Sequence, residues 1–169
     1  MPLALTPQEK ILDLNHLLGR ISAWRRSKQR IVFTNGCFDI LHLGHITLLD
    51  ECRKFAHRLI VGLNSDVSVR KLKGDGRPIF SECERARVLA ALAATDAVVI
   101  FNEDTPMNLI RKIRPDVLVK GGDYVAGTIV GASDVTAWGG RVEIVPIVDG
   151  FSTTRILQRI QEQLSAELP

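Results

Sequence analysis

Apolar residues along the chain fall into five short runs separated by stretches with helical spacing. The runs Arg30–Asn35, Leu59–Leu63, Ala97–Phe101, Val117–Lys120 and Val142–Val148 are β-branched or aliphatic without polar alternation, as in strands buried on both faces of a parallel sheet. Between them, His45–Phe55, Ser81–Ala94, Thr105–Lys112, Gly131–Trp138 and Arg155–Leu164 read as helices or short helical turns. Ser81 with Glu84 forms a capping box, Arg114-Pro115 stops one helix, and Val88, Leu89 and Leu92 turn inward. Thr6-Pro7-Gln8-Glu9 is another capping box, followed by Ile11, Leu14, Leu18 and Ile21; Asp13 offers an equally good later start. The pattern predicts an α/β, Rossmann-like, doubly wound sheet of five parallel strands with helices on both faces. An added N-terminal helix within 1–28 packs beside the first strand.

In such a sheet, ligands bind beyond the carboxyl ends of the strands, where strand order reverses. The polar clusters 34–45, 64–76, 120–124 and 149–155 all follow strands and should meet on that edge. Residues 65–80, with Lys71, Lys73, Gly74, Gly76 and Pro78, form a long cationic connection that reads as a mobile lid over an anionic ligand, or as a solvated loop.

A chain of 169 residues suits a single domain, 1–169, and its net charge of +3 is small. The densest basic run, Arg25–Arg30, falls where a helix should end, so cations there complement the dipole and nucleic-acid binding is not expected. No apolar run approaches the roughly 18 residues of a membrane span. The start MPLALTPQEK lacks signal or transit composition, which makes a cytoplasmic protein without a membrane partner the expectation. Cys37, Cys52 and Cys83 form no C-x-x-C pair, against a disulfide framework or a cysteine zinc site.

Chemistry concentrates in Ile31–Leu49. His42 and His45 flank Gly44 at a helix start, where exposed N–H groups and the dipole suit phosphate and two imidazoles could donate to it. A metal pair lacking a third ligand, and histidines that merely cap the helix, are the alternatives. Ser152, Thr153, Thr154 and Arg155 open a second helix and read as a pyrophosphate site or an ordinary cap. Lys120-Gly121-Gly122-Asp123 leaves a strand with a cation for phosphate and a carboxylate for a hydroxyl, or is a glycine turn. Arg85 reaches an acceptor phosphate or pairs with Glu82 or Glu84.

Together, Thr34-Asn35-Gly36-Cys37-Phe38-Asp39, His42-x-Gly44-His45 and Ser152-Thr153-Thr154-Arg155 resemble the nucleotidyltransferase superfamily with the H-x-G-H signature. IVFTNGCFDILHLGH, LIVGLNSDVSVRKLKG, GRPI, ER, EDTP, RPDVLVKGGDY and FSTTRI are similar, across nearly the whole chain, to the nucleotidyltransferases of ADP-heptose synthesis, in the separate form without the heptose kinase half. The resemblance implies transfer of the adenylyl group of ATP to D-glycero-β-D-manno-heptose 1-phosphate, giving ADP-heptose and pyrophosphate for the lipopolysaccharide inner core. Cytidylyltransferases for glycerol 3-phosphate or choline phosphate share the first motif and the last but generally lack the Val119–Tyr124 string, and a non-catalytic nucleotide-binding module is the further alternative. What the resemblance implies for the residues is His42, His45, Lys120 and Arg155 in catalysis. Thr34, Asn35, Gly36, Cys37, Phe38, Gly44, Gly121, Asp123, Ser152, Thr153 and Thr154 are assigned to ATP, and Asp39, Lys71, Lys73 and Arg85 to the sugar phosphate, with Asp39 equally able to structure its turn. Mg2+ is expected to bridge phosphates through water, with no protein metal ligands, and relatives suggest a homodimer.

Overall fold

The computed structural model of the chain describes residues 5–167 except Ile147 and Asp149. The N-terminal pattern resolves into two helices. Thr6 and Glu9 close the capping box of α1 (Pro7–Lys10), and Asp13 caps α2 (Leu14–Arg26), so both start signals are used. Ile11 separates them by forming a parallel bridge with Val98, which spends its backbone on the sheet rather than on a continuous helix. The basic run does end α2, and the Arg25 guanidinium donates to the carbonyls of Ile113 (2.8 Å) and Arg114 (2.6 Å).

There follow β1 (Ile31–Gly36), α3 (Leu43–Phe55), β2 (Arg58–Asn64), α4 (Asp66–Lys73), α5 (Glu82–Ala91), β3 (Ala97–Phe101), α6 (Met107–Ile113) and β4 (Val117–Gly121). A 3-10 turn, α7 (Ala132–Ala137), β5 (Arg141–Val145) and α8 (Thr153–Glu167) complete the chain. Of the expected fifth strand, Val142–Val145 is paired, while Ile147 lies outside the described residues, as does Asp149 of the last polar cluster and Met1–Ala4 of the N-terminal stretch.

All five strands are parallel in the order β3-β2-β1-β4-β5. Side chains alternate between the faces: Ile31, Phe33 and Ile60 pack with Leu17 and Ile21 of α2, Ile110 and Ile113 of α6 and Val135 of α7. Val32, Leu59, Val61 and Leu63 pack with Leu49 and Cys52 of α3 and Ala86 and Leu89 of α5. The N-terminal helix α2 thus covers the α6 side of the sheet, touching β3 as well as the β1 side chains.

Two expectations need correction. Val88 is 48% exposed, and the inward positions of α5 are Arg85, Ala86, Leu89 and Ala90. Residues 65–80 are not a structureless lid: Ser65 caps α4 by accepting from the N–H of Ser68, Val69 is buried, and Gly74 ends the helix at φ +91°. A short helix with two inward positions and a cationic end leaves little periodicity to read in sequence, and only 70–76 are exposed throughout.

Candidate functional site

Strand order reverses between β1 and β4, and a cleft of about 460 Å3 opens at their carboxyl ends. Asn35, Gly36, Cys37 and Phe38 line it from β1, His45 and Leu48 from α3, and Lys120, Gly121 and Tyr124 from β4 and beyond. Lys73 reaches it from α4. The expectation that the polar clusters share one edge holds: the first three contribute to the cleft lining, and the fourth joins the same edge at Thr153, whose hydroxyl donates to the Asp39 carbonyl.

Lys120 bridges the switch point, its ammonium donating to the Asn35 carbonyl at 3.3 Å. Burial lowers its pKa to about 8, so a cation is held ready in the cleft at neutral pH but is easily neutralised. His42 precedes α3 and His45 lies in its first turn; their rings stack with centroids 3.7 Å apart. Burial, reinforced by His42, takes His45 down to about 4, and burial also lowers His42. Both are therefore neutral at pH 7. Their Nδ1 atoms are buried with no protein partner among the described residues, which leaves hydrogen-bonding capacity uncommitted. Phe38, at φ +46°, packs its ring 5.1 Å from that of His45.

Gly44 explains itself sterically: a Cβ would lie 3.1 Å from the His42 ring and 3.4 Å from the Phe151 carbonyl oxygen. The starts of α3 and α8 therefore abut. Ser152 caps α8, its hydroxyl accepting from the Arg155 N–H at 3.2 Å, while the side chains of Thr154 and Arg155 are exposed beside the cleft rather than lining it. The Thr153 hydroxyl is committed elsewhere, donating to the Asp39 carbonyl at 2.6 Å. Thr34 is fully buried in β1 and does not line the cleft, and Asp123 is exposed outside its lining.

Asp39 and Arg85, candidates for the sugar phosphate, have their side chains engaged within the protein. The Asp39 carboxylate accepts from Arg77 (2.7 Å) and from the N–H groups of Ile79 (2.9 Å) and Phe80 (3.1 Å). Burial alone would raise its pKa, but these donors outweigh it and hold the carboxyl below its ordinary value. Arg85, 2% exposed, donates to the carbonyls of Phe80 (2.9 Å), Cys37 (2.6 Å) and Asn64 (2.8 Å) and to Asp66 (2.7 Å). Neither Glu82 nor Glu84 is its partner, because the guanidinium points into the sheet edge. Lys71 stands at the rim, paired with Asp104 at 3.0 Å.

The cleft also contains residues that sequence reasoning did not assign to it: Asn64 at the end of β2, and Asp104, Thr105 and Pro106 after β3. Asn64 opens the polar cluster 64–76 expected on this edge, and Asp104, Thr105 and Pro106 belong to the EDTP string, so both stretches were visible in sequence without a role in the cleft. Among the described residues no three His, Cys, Asp or Glu side chains are grouped to hold a metal ion, and no helix is long and apolar enough to cross a membrane. All three cysteines are free thiols.

A family model described as cytidylyltransferase-like matches residues 33–161. The chain is 60% identical over 90% of its length to the bifunctional protein HldE of Koribacter versatilis, covering 31% of that protein. It is 51% identical over 94% of its length to HldE of Geobacter sulfurreducens, covering 32%. The chain spans about a third of the length of these curated relatives. Among solved structures, the lipopolysaccharide core biosynthesis protein from Thermoplasma volcanium matches with a TM-score of 0.57 and 31% identity, over 71% of this chain and 97% of that one.

Proposed function

The chain belongs to the cytidylyltransferase-like family, and from that membership we propose that it transfers the adenylyl group of ATP to D-glycero-β-D-manno-heptose 1-phosphate, releasing pyrophosphate and ADP-heptose. The observation that carries this reading is the cleft at the β1/β4 switch point, which Lys120 and His45 both line, with His42 stacked on His45 at the start of α3. A helix N-terminus with a cation and uncommitted neutral imidazoles is suited to a phosphate whose charge grows in the transition state. The choice of sugar rests on the Val119–Tyr124 string and the similarity to HldE proteins, and the Thermoplasma neighbour is described as a lipopolysaccharide core biosynthesis protein.

The sugar phosphate oxygen attacks the α-phosphorus in line and pyrophosphate leaves; the attacking phosphate is ionised at neutral pH, so no general base is required. His42, His45 and Lys120 stabilise the charge on the α-phosphate. The N-terminus of α8, with Ser152, Thr154 and Arg155, takes the leaving pyrophosphate. Mg2+ would enter with the ATP substrate and offset the charge of its phosphates. Lys73 is the cation for the sugar phosphate. The reading includes action in the cytoplasm as a homodimer.

The test is a panel of the four nucleoside triphosphates against heptose 1-phosphate, glycerol 3-phosphate and choline phosphate, scored for pyrophosphate. ATP with heptose 1-phosphate should dominate, and His45→Ala should lower its rate by about 100- to 1,000-fold. Preference for CTP with glycerol 3-phosphate would replace this reading by the cytidylyltransferase one, and release of pyrophosphate with none would leave a binding module.

A further inference from the structure

Away from Lys120 the cleft changes character. It runs past β1 to the carboxyl ends of β2 and β3, where Asn64, Asp104 and Thr105 line it together with Lys73. Asn64 is only 4% exposed, and its side-chain amide nitrogen donates to the Ser68 hydroxyl at 2.9 Å; its main-chain carbonyl accepts from Arg85, but among the described residues nothing donates to its side-chain Oδ1. Asp104 presents a carboxylate to a cleft that also holds Lys73 and Lys120, and among the described residues its ion-pair partner is Lys71.

A carboxylate is out of place where two anionic substrates must approach each other, because it repels both. Beside the Asn64 side-chain amide it suits a part of the ligand that carries hydrogen-bond donors and no negative charge. An amide oxygen and a carboxylate are acceptors, and the donors a phosphorylated small molecule offers are hydroxyls. The Lys71–Asp104 pair is exposed on both sides, 60% and 75%, so opening it to admit a ligand costs little.

We infer that Asn64 and Asp104 form a hydroxyl-reading subsite for the acceptor, a polyhydroxylated sugar phosphate whose phosphate lies toward Lys73 and whose ring hydroxyls replace Lys71 on Asp104. Lys71 is then a counter-ion for the empty site rather than a phosphate ligand. The inference rests on the nucleotidyltransferase reading of the cleft, and it names the part of the cleft that selects the acceptor.

Binding of heptose 1-phosphate and of inorganic phosphate, each measured by calorimetry with a non-hydrolysable ATP analogue present, separates hydroxyl recognition from phosphate recognition. Asp104→Ala should weaken heptose 1-phosphate about 10- to 100-fold, the loss typical of a hydrogen bond to a charged acceptor, and leave inorganic phosphate within about twofold. Lys71→Ala should change neither by more than about threefold. Asn64→Ala should behave as Asp104→Ala; because Asn64 is buried and that variant can lose its fold, the exposed Asp104 decides. The inference is overturned if Asp104→Ala weakens both ligands equally, if it weakens neither, if Lys71→Ala reproduces its effect, or if the wild-type protein binds heptose 1-phosphate no better than inorganic phosphate. Absence of pyrophosphate release with any acceptor would remove the parent reading alone, since these binding constants do not depend on turnover.

Discussion

Lys120 sits where a single proton decides what the cleft can bind. With its pKa lowered to about 8 by burial, the side chain is about nine-tenths charged at pH 7 and about one-tenth at pH 9. The neighbours do not share this window: His45, at about 4, is neutral throughout, and burial holds the Cys37 thiol above its ordinary value. ATP affinity should therefore weaken about five- to tenfold between pH 7 and pH 9, and Lys120→Arg, which cannot deprotonate, should flatten the profile once the ligand's own titration is subtracted. Equal slopes in both proteins would remove Lys120 from the phosphates. At this scale the sequence showed which residues could do chemistry, because a cation after a strand and two histidines at a helix start are local patterns. It could not show that Asp39 and Arg85 were already committed. The Asp39 carboxylate finds its donors 38 to 41 residues away, at Arg77, Ile79 and Phe80, and Arg85 reaches 48 residues back to Cys37 and 21 back to Asn64, so only the assembled sheet edge brings them together.

The same two residues organise the elements around the cleft. Arg85 on α5 joins the end of β1, the end of β2, the first turn of α4 and the segment before α5, while Asp39 joins the β1–α3 loop to residues 77–80 and, through its carbonyl, to α8. Arg85→Met would keep much of the bulk but leave the Asp66 carboxylate and three carbonyls without their donor. Removal of one partner from a buried ion pair costs about 3–5 kcal/mol, so the urea midpoint should fall markedly. Arg87→Met, at an exposed position two residues along α5, leaves that guanidinium network intact and should cost far less. Similar midpoints for the two variants would show that Arg85 contributes nothing special. Strands and major helices were legible in the sequence because each rests on a run or a period of its own. The division of α1 from α2 was not, since it depends on Ile11 finding Val98, and neither was α4, whose amphipathic face is too short to stand out.

At the scale of the whole molecule, α8 is the element without a place in the core. It is joined to the body at its first turn through Thr153, yet it runs for 15 residues, with Ile160 and Leu164 46% and 58% exposed. A helix of that length is marginal in water unless something packs against it. Its charges are also reversed for a helix standing alone: Arg155 and Arg159 lie toward the positive end of the dipole and Glu162 toward the negative end. Between two copies running antiparallel the reversal becomes complementary, because the basic half of each lies along the acidic half of the other and the apolar stripes meet. A twofold pair of this kind supplies what the homodimer proposal requires, and it would also steady the α8 N-terminus that carries Ser152 and Arg155. Sedimentation equilibrium should accordingly give a dimer at micromolar concentration for the wild type and a monomer for Ile160→Glu combined with Leu164→Glu. The monomeric variant should lose helical circular dichroism about equal to one helix and bind ATP more weakly, with its thermal transition nearly unchanged because the sheet core is untouched. A wild-type monomer at 100-fold higher concentration would rule out the pairing, and a variant that remains dimeric would move the interface away from α8.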